Sequence, residues 1–143
     1  MPRTSRGARE ADGRASEAAP ALVARRARGR AAYHLGRSAE GAVARHYLEA
    51  GLAVVEARWR GAAGEIDLVL RDGEGVVFVE VKAARDHAQA ARSLTPRQAA
   101  RLLDAGAEYL GSCERGQLTP ARFDVALVDR VGRVEVIENA LGQ

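Results

Sequence analysis

The sequence predicts one α/β domain over residues 29–143: a central mixed β-sheet flanked by helices, in the order α-β-β-β-α-β-β. Three observations predict it. Residues 64–82, GEIDLVLRDGEGVVFVEVK, place two runs of apolar and β-branched residues around a glycine-containing turn, the pattern of a β-hairpin. Segments before and after this hairpin repeat apolar residues at the helical period. The second hairpin strand leads into a helix and then a further strand, a succession that returns the chain parallel through a crossover. Of 143 residues, 47% are apolar, enough for one modest core.

The elements follow in order. Residues 1–28 are low in complexity and read as a disordered basic tail, because residues 1–30 hold eight arginines against three acids. A helix is predicted from about Arg30 to Ala50, with Gly51 as its stop signal. Residues 52–59, LAVVEARW, form a strand, and RGAAG forms a loop. Glu65–Arg71 and Val76–Lys82 pair around a four-residue DGEG turn. Residues 83–94 are a polar, alanine-rich loop or frayed helix. Thr95 is the expected N-cap and Pro96 the first residue of a helix whose stripe is Ala99, Leu102, Leu103, Gly106 and Leu110. RFDVALVD and RVEVIEN are the last two strands, turning near Val131–Gly132.

Composition excludes some classes. No apolar run is long enough to span a bilayer, and the N-terminus lacks a secretory apolar stretch. Cys113 is the single cysteine, so no internal disulfide forms and a cytoplasmic location is expected. The basic tail is either a phosphate-gripping arm or a solvated extension. The chain has 21 arginines and one lysine, Lys82. An ammonium is a compact charge that arginine's broad fork does not replace, unless the single lysine is an accident of composition.

Charge inside the hairpin is the main functional signal. With Arg71 opposite Val76, counting back sets Asp67 opposite Glu80 and Glu65 opposite Lys82. Ile66, Leu68 and Leu70 then share one face, with Val77, Val79 and Val81 beside them. Like charges directly opposite destabilise a sheet, and a divalent cation between them reverses the sign. Mg2+ takes carboxylates and waters at roughly 2.0–2.1 Å. Lys82 would point to the same side, able to orient water or neutralise a phosphoryl transition state. The alternative is a solvent-facing strand surface with Glu65–Lys82 as an ion pair worth less than about 1 kcal/mol.

The first helix adds a third carboxylate. At 3.6 residues per turn, Gly36, Val43, Ala44, Tyr47 and Leu48 fall around Glu40, while Arg45 and Glu49 lie opposite. A carboxylate on the sheet-facing side needs a cation, a hydrogen-bond network or a proton. Joining Asp67 and Glu80 would satisfy it, as would capping or pairing with Arg37.

From about Leu35 to Leu141, through GEID, FVEVK, RFDVALV and IENAL, the chain resembles the YraN family of small bacterial proteins, related to Holliday junction resolvases with the PD-(D/E)XK fold. The resemblance implies a restriction-endonuclease-like sheet and Mg2+- or Mn2+-dependent phosphodiester hydrolysis on DNA, including branched or repair intermediates. Carried over by position, the catalytic set is Glu40, Asp67, Glu80 and Lys82, and the metal ligands are Glu40, Asp67, Glu80 and the Val81 carbonyl. It also implies DNA as partner and, by likeness to resolvases that act as dimers, a possible homodimer; the lack of a long apolar run already predicts no membrane association. Arg58, Arg60, Arg85 and Arg97 are the candidate nucleic-acid contacts, with Arg58 and Arg60 alternatively a plain solvated strand end. No proline precedes the motif aspartate, and Arg97 and Gln98 stand where the family often has a lysine. The rival is a non-catalytic nucleic-acid- or protein-binding module on the same fold. His34, His46, His87, Cys113 and Asp124 receive no role, and Trp59 is read as packing or as a stacking platform.

Overall fold

The computed structural model describes residues 38–83, 88 and 94–141. The tail, the first turns of the expected N-terminal helix and Arg85 lie outside the described residues. The elements are α1 (Ala39–Glu49), β1 (Ala53–Arg60), β2 (Glu65–Asp72), β3 (Gly75–Ala83), α2 (Pro96–Leu110), a 3-10 turn at Gly116–Leu118, β4 (Ala121–Val128) and β5 (Val134–Ile137). They form a five-stranded sheet in the order β1-β2-β3-β4-β5. β3 and β4 pair parallel through the α2 crossover, and the other neighbours pair antiparallel. The mixed α/β architecture is therefore as expected. No helix among the described residues is long and apolar enough to cross a bilayer.

Local chemistry sets the boundaries. The Gly41 N–H donates to Ser38 Oγ at 3.1 Å, capping α1, and Gly51 at φ +91° ends it. The Gln98 N–H donates to Thr95 Oγ1 at 3.1 Å, and Pro96 opens α2, as the sequence predicts. The hairpin register is the expected one from Arg71–Val76 to Leu68–Val79, but the expected Asp67–Glu80 and Glu65–Lys82 pairs are not part of it: Glu65 pairs with Arg60 of β1, and Lys82 turns to Gln98 and Glu80. The hairpin loop is shorter than expected: Asp72 pairs with Gly75, leaving only Gly73 and Glu74 to turn the chain. Gly73 takes φ +61°, which a two-residue turn requires at its first position and a side chain would resist.

The sheet is covered on both faces. Val43, Ala44 and Tyr47 of α1 pack with Leu68, Leu70, Val77 and Val79. Ala105 of α2 packs with Val69, Val76 and Phe78, and Tyr109 meets the Phe78 ring edge-on with centroids 5.6 Å apart. The α2 backbone approaches β4 so closely at Gly106 that a Cβ there would run into the Phe123 ring. Burial of each large apolar side chain contributes roughly 1.5–3 kcal/mol.

Two pattern-based expectations change. Ile66 does not join Leu68 and Leu70; it packs with the α2 cluster beside Trp59 and Ala105. The recorded β2–β3 pairing ends at Leu68–Val79. Beyond that point the Asp67 carboxylate takes the Val81 N–H, so β2 leaves β3 and its alternation is no longer tied to the hairpin. Leu48, expected on the packed stripe, is 59% exposed because α1 rests on Val43, Ala44 and Tyr47.

Candidate metal centre

The departure of β2 from β3 opens the site. Val81 N donates to Asp67 Oδ2 at 2.8 Å, which fixes the aspartate on the inner side of the gap. Glu80 stands beside it on β3, with its side chain 11% exposed. The two carboxyl groups are close enough for each to feel the other's charge. Burial holds the Asp67 carboxyl above its ordinary range, with Glu40 and Glu65 adding to the rise and the Val81 N–H opposing it. Burial, then the Asp67 charge, push the Glu80 carboxyl up to about 7, against the opposing pull of Lys82. A pair of carboxyls that retains a proton near neutrality is electrostatically short of one cation.

Lys82 and Gln98 complete the arrangement. Lys82 Nζ lies 3.4 Å from Glu80 Oε2 and donates to Gln98 Oε1 at 3.0 Å. Gln98 Nε2 donates to the same Glu80 oxygen at 2.8 Å. The ammonium has only donors, so it fixes which end of the Gln98 amide faces it. Sequence reasoning missed this bridge. Thr95-x-x-Gln98 has the form of a capping box, in which the glutamine would reach back to the N-cap amide. The useful signal was position: Gln98 precedes Leu102 by four residues, and Leu102 is buried on the sheet-facing stripe.

Glu40 is placed differently from the pair. It pairs with the Arg58 guanidinium at 3.6 Å, and its charge still reaches Asp67. Among the described residues, no three Asp, Glu, His or Cys side chains gather closely enough to hold a metal as they stand. Arg58 itself has φ +56°, an uncommon backbone state for a strand residue, and a half-exposed side chain. Arg60 pairs with Glu65 at 3.6 Å, and Arg97 is exposed in the first turn of α2.

A cavity of about 330 Å3 opens over the carboxylates. Asp67, Glu80, Gln98 and Arg101 line it, with Ala63 and Gly64 from the β1–β2 loop. That loop is held from α2: Glu108 accepts the Ala62 N–H at 3.0 Å and the Ala63 N–H at 3.1 Å, and these bonds keep its carboxyl below the usual range. Sequence reasoning gave neither Arg101 nor Glu108 a role.

Asp124 was also missed. It is 1% exposed, accepts the Tyr47 hydroxyl at 2.7 Å and the Asn139 N–H at 3.0 Å, and receives Arg122 Nε at 3.1 Å. Burial and Asp124 together raise the Tyr47 hydroxyl far above the normal phenol range. This network ties α1 to β4 and to the turn after β5. Tyr47 also lies two helical turns beyond Glu40, so the network sets the seating of the helix that carries that acid.

The linkage of Glu80 gives a pH expectation. Its folded value lies above its unfolded one, so its contribution is complete below about pH 4.5 and is lost as pH rises through about 7. Without metal, unfolding free energy should fall by roughly 2–3 kcal/mol across that window relative to Glu80→Gln. Urea midpoints of the two proteins at pH 4.5 and 7.5 measure it, and parallel pH profiles would contradict it.

A model of the uncharacterised protein family UPF0102 matches residues 39–128, which include β1 to β4 and all the carboxylates above. The chain belongs to the UPF0102 family. This is the YraN-like family that GEID and FVEVK suggest. A UPF0102 protein of Cereibacter sphaeroides is 54% identical over 112 residues, covering 78% of this chain and 96% of that protein. One from Ruegeria pomeroyi is 57% identical over 107 residues, covering 75% and 87% respectively. A more distant UPF0102 protein, from Dinoroseobacter shibae, is 39% identical over 120 residues, covering 84% and 90%.

Proposed function

We propose that this UPF0102 protein is a divalent-metal-dependent nuclease acting on DNA, on the restriction-endonuclease-like PD-(D/E)XK plan. The observation that carries the reading is the buried Asp67–Glu80 pair with the Lys82 ammonium 3.4 Å from Glu80. The residues fit a hard cation. Their donors are oxygens, and both carboxyls sit raised where a cation would hold them ionised. Asp67, Glu80 and the Val81 carbonyl would hold Mg2+ or Mn2+, with Glu40 joining if it leaves Arg58. When bound, the ion supplies Lewis acidity toward a phosphoryl oxygen and a more acidic water.

The chain's own residues do the rest. Asp67 and Glu80 would serve as ligands in their ionised forms, releasing any retained proton to solvent. Lys82 presents positive charge where the phosphoryl oxygens gain negative charge, and Gln98 prevents the ammonium from folding fully onto Glu80. A branched-DNA substrate and a homodimer belong to this reading through the family resemblance, and a cytoplasmic location through the single cysteine. A second reading has one observation in its favour: Glu40 is already paired with Arg58. On that reading the chain binds nucleic acid or protein without cleaving anything.

Thermal melting with Mn2+ separates the two. A metal that binds only the folded state stabilises it by about 2.7 kcal/mol at a hundredfold excess over Kd. The wild type should gain several degrees in Tm, and Asp67→Ala should gain none. An unmoved wild-type Tm would favour the second reading.

A further inference from the structure

We infer that Arg101 binds a phosphate oxygen of the substrate strand, as the residue that brings a phosphodiester to the carboxylate pair; this rests on the nuclease reading of the site. The case begins with the charges lining the cavity. Glu65, Asp67 and Glu80 present three carboxyl groups, and Arg101 is the one cationic side chain among the lining residues. An approaching phosphate therefore meets a lining with more acidic than basic groups. Even with a divalent ion between Asp67 and Glu80, it needs a further positive group on the cavity wall.

The other nearby cations are committed. Lys82 is engaged by Glu80 and Gln98. Arg58 is held by Glu40, and Arg60 by Glu65. Arg101 has no ion pair or hydrogen bond with any described residue. A guanidinium with no carboxylate partner among the described residues, at the rim of an acidic cavity, can take an anion in its planar fork.

Helix geometry fixes its place. Arg101 lies three residues after Gln98, one turn further along the same side of α2. Gln98 touches Glu80 at 2.8 Å, so the next turn sits just beyond the carboxylates. Arg97 is exposed like Arg101, but it sits in the first turn and does not line the cavity. The phosphate contact expected of Arg97 therefore moves to Arg101. Glu108, two turns beyond Arg101 on the same helix, anchors the opposite wall through Ala62 and Ala63. The two walls on either side of the entering strand are thus fixed to a single helix.

The test measures DNA binding by the full chain, using a fluorescein-labelled flap duplex in Ca2+, a divalent ion that also takes oxygen ligands. Wild type, Arg101→Ala, Arg101→Lys and Arg97→Ala are compared by anisotropy, each with its Mn2+-induced Tm shift. Arg101→Ala should weaken binding about tenfold, equivalent to about 1.4 kcal/mol. Arg101→Lys should recover part of that loss, and Arg97→Ala should stay within about twofold of wild type. All four should keep the Mn2+ shift, because Arg101 is not a ligand. Equal losses for Arg97→Ala and Arg101→Ala would mean diffuse charge attraction and would overturn the assignment. So would unchanged binding by Arg101→Ala, or a wild type that responds to Mn2+ but binds no duplex. A wild type with no Mn2+ response would instead remove the metal reading beneath it.

Discussion

Alanine in place of Asp124 should lower the unfolding free energy by about 3–5 kcal/mol, as expected when one partner of a buried ionic network is removed. The carboxylate is 1% exposed and satisfies three separate parts of the chain. Without it the Tyr47 hydroxyl loses its acceptor in the interior, and the Asn139 N–H loses one at the surface end of the network. Arg122 is 30% exposed and lies 3.8 Å from Glu138 and 3.9 Å from Asp72, so its charge finds partial relief. That relief places the loss toward the lower end of the range. Asp124→Asn keeps the shape and one acceptor oxygen and should cost less. Tyr47→Phe removes a single bond and should cost about 1–3 kcal/mol. Urea denaturation of the three variants measures the series. A loss below about 1 kcal/mol for Asp124→Ala would show that the network adds little.

Lys82→Ala should reduce cleavage of flap DNA by about 10²–10³-fold, the effect of removing one preorganised group that stabilises transition-state charge. The Mn2+-induced Tm shift should survive, because Lys82 is not a ligand of the ion. That split separates loss of chemistry from loss of metal. Lys82→Arg should restore little. The guanidinium is wider than the ammonium and cannot keep both the 3.4 Å approach to Glu80 and the 3.0 Å bond to Gln98. A chain with 21 arginines and one lysine then has a chemical reason for the exception. Cleavage that persists in Lys82→Ala would leave that lysine as an accident of composition.

Much of the sheet was legible because hydrophobic pattern and turn chemistry agree. Counting outward from Arg71 and Val76 gave the recorded hairpin register and brought Asp67 near Glu80. The loop was read too long because Asp72 and Gly75 look like turn residues, whereas one glycine at φ +61° suffices. The face of Ile66 was not legible. It depends on a side chain, Asp67, replacing the backbone as partner of Val81, and period-two alternation carries no trace of that. Gln98 was not legible because its side chain joins α2 to Glu80 and Lys82 on β3, and nothing in its sequence neighbourhood beyond its sheet-facing position signals that bridge. Asp124 was hidden because Tyr47 lies 77 residues away and Asn139 contributes only a main-chain amide. The helical projection found the packed side of α1 but not its width, since it counted Leu48 inside.

The parallel pairing of β3 with β4 has a consequence for biosynthesis. Every carboxylate of the centre, and Lys82, emerges from the ribosome before β4 exists. Until then Val76–Val79, buried in the finished sheet, belong to a strand with one bare edge, and the crossover must form before that edge is closed. Nascent chains stalled within α2 should therefore be the sticky ones, engaging chaperones or each other through VVFV, and should shed that tendency once RFDVALV has been translated.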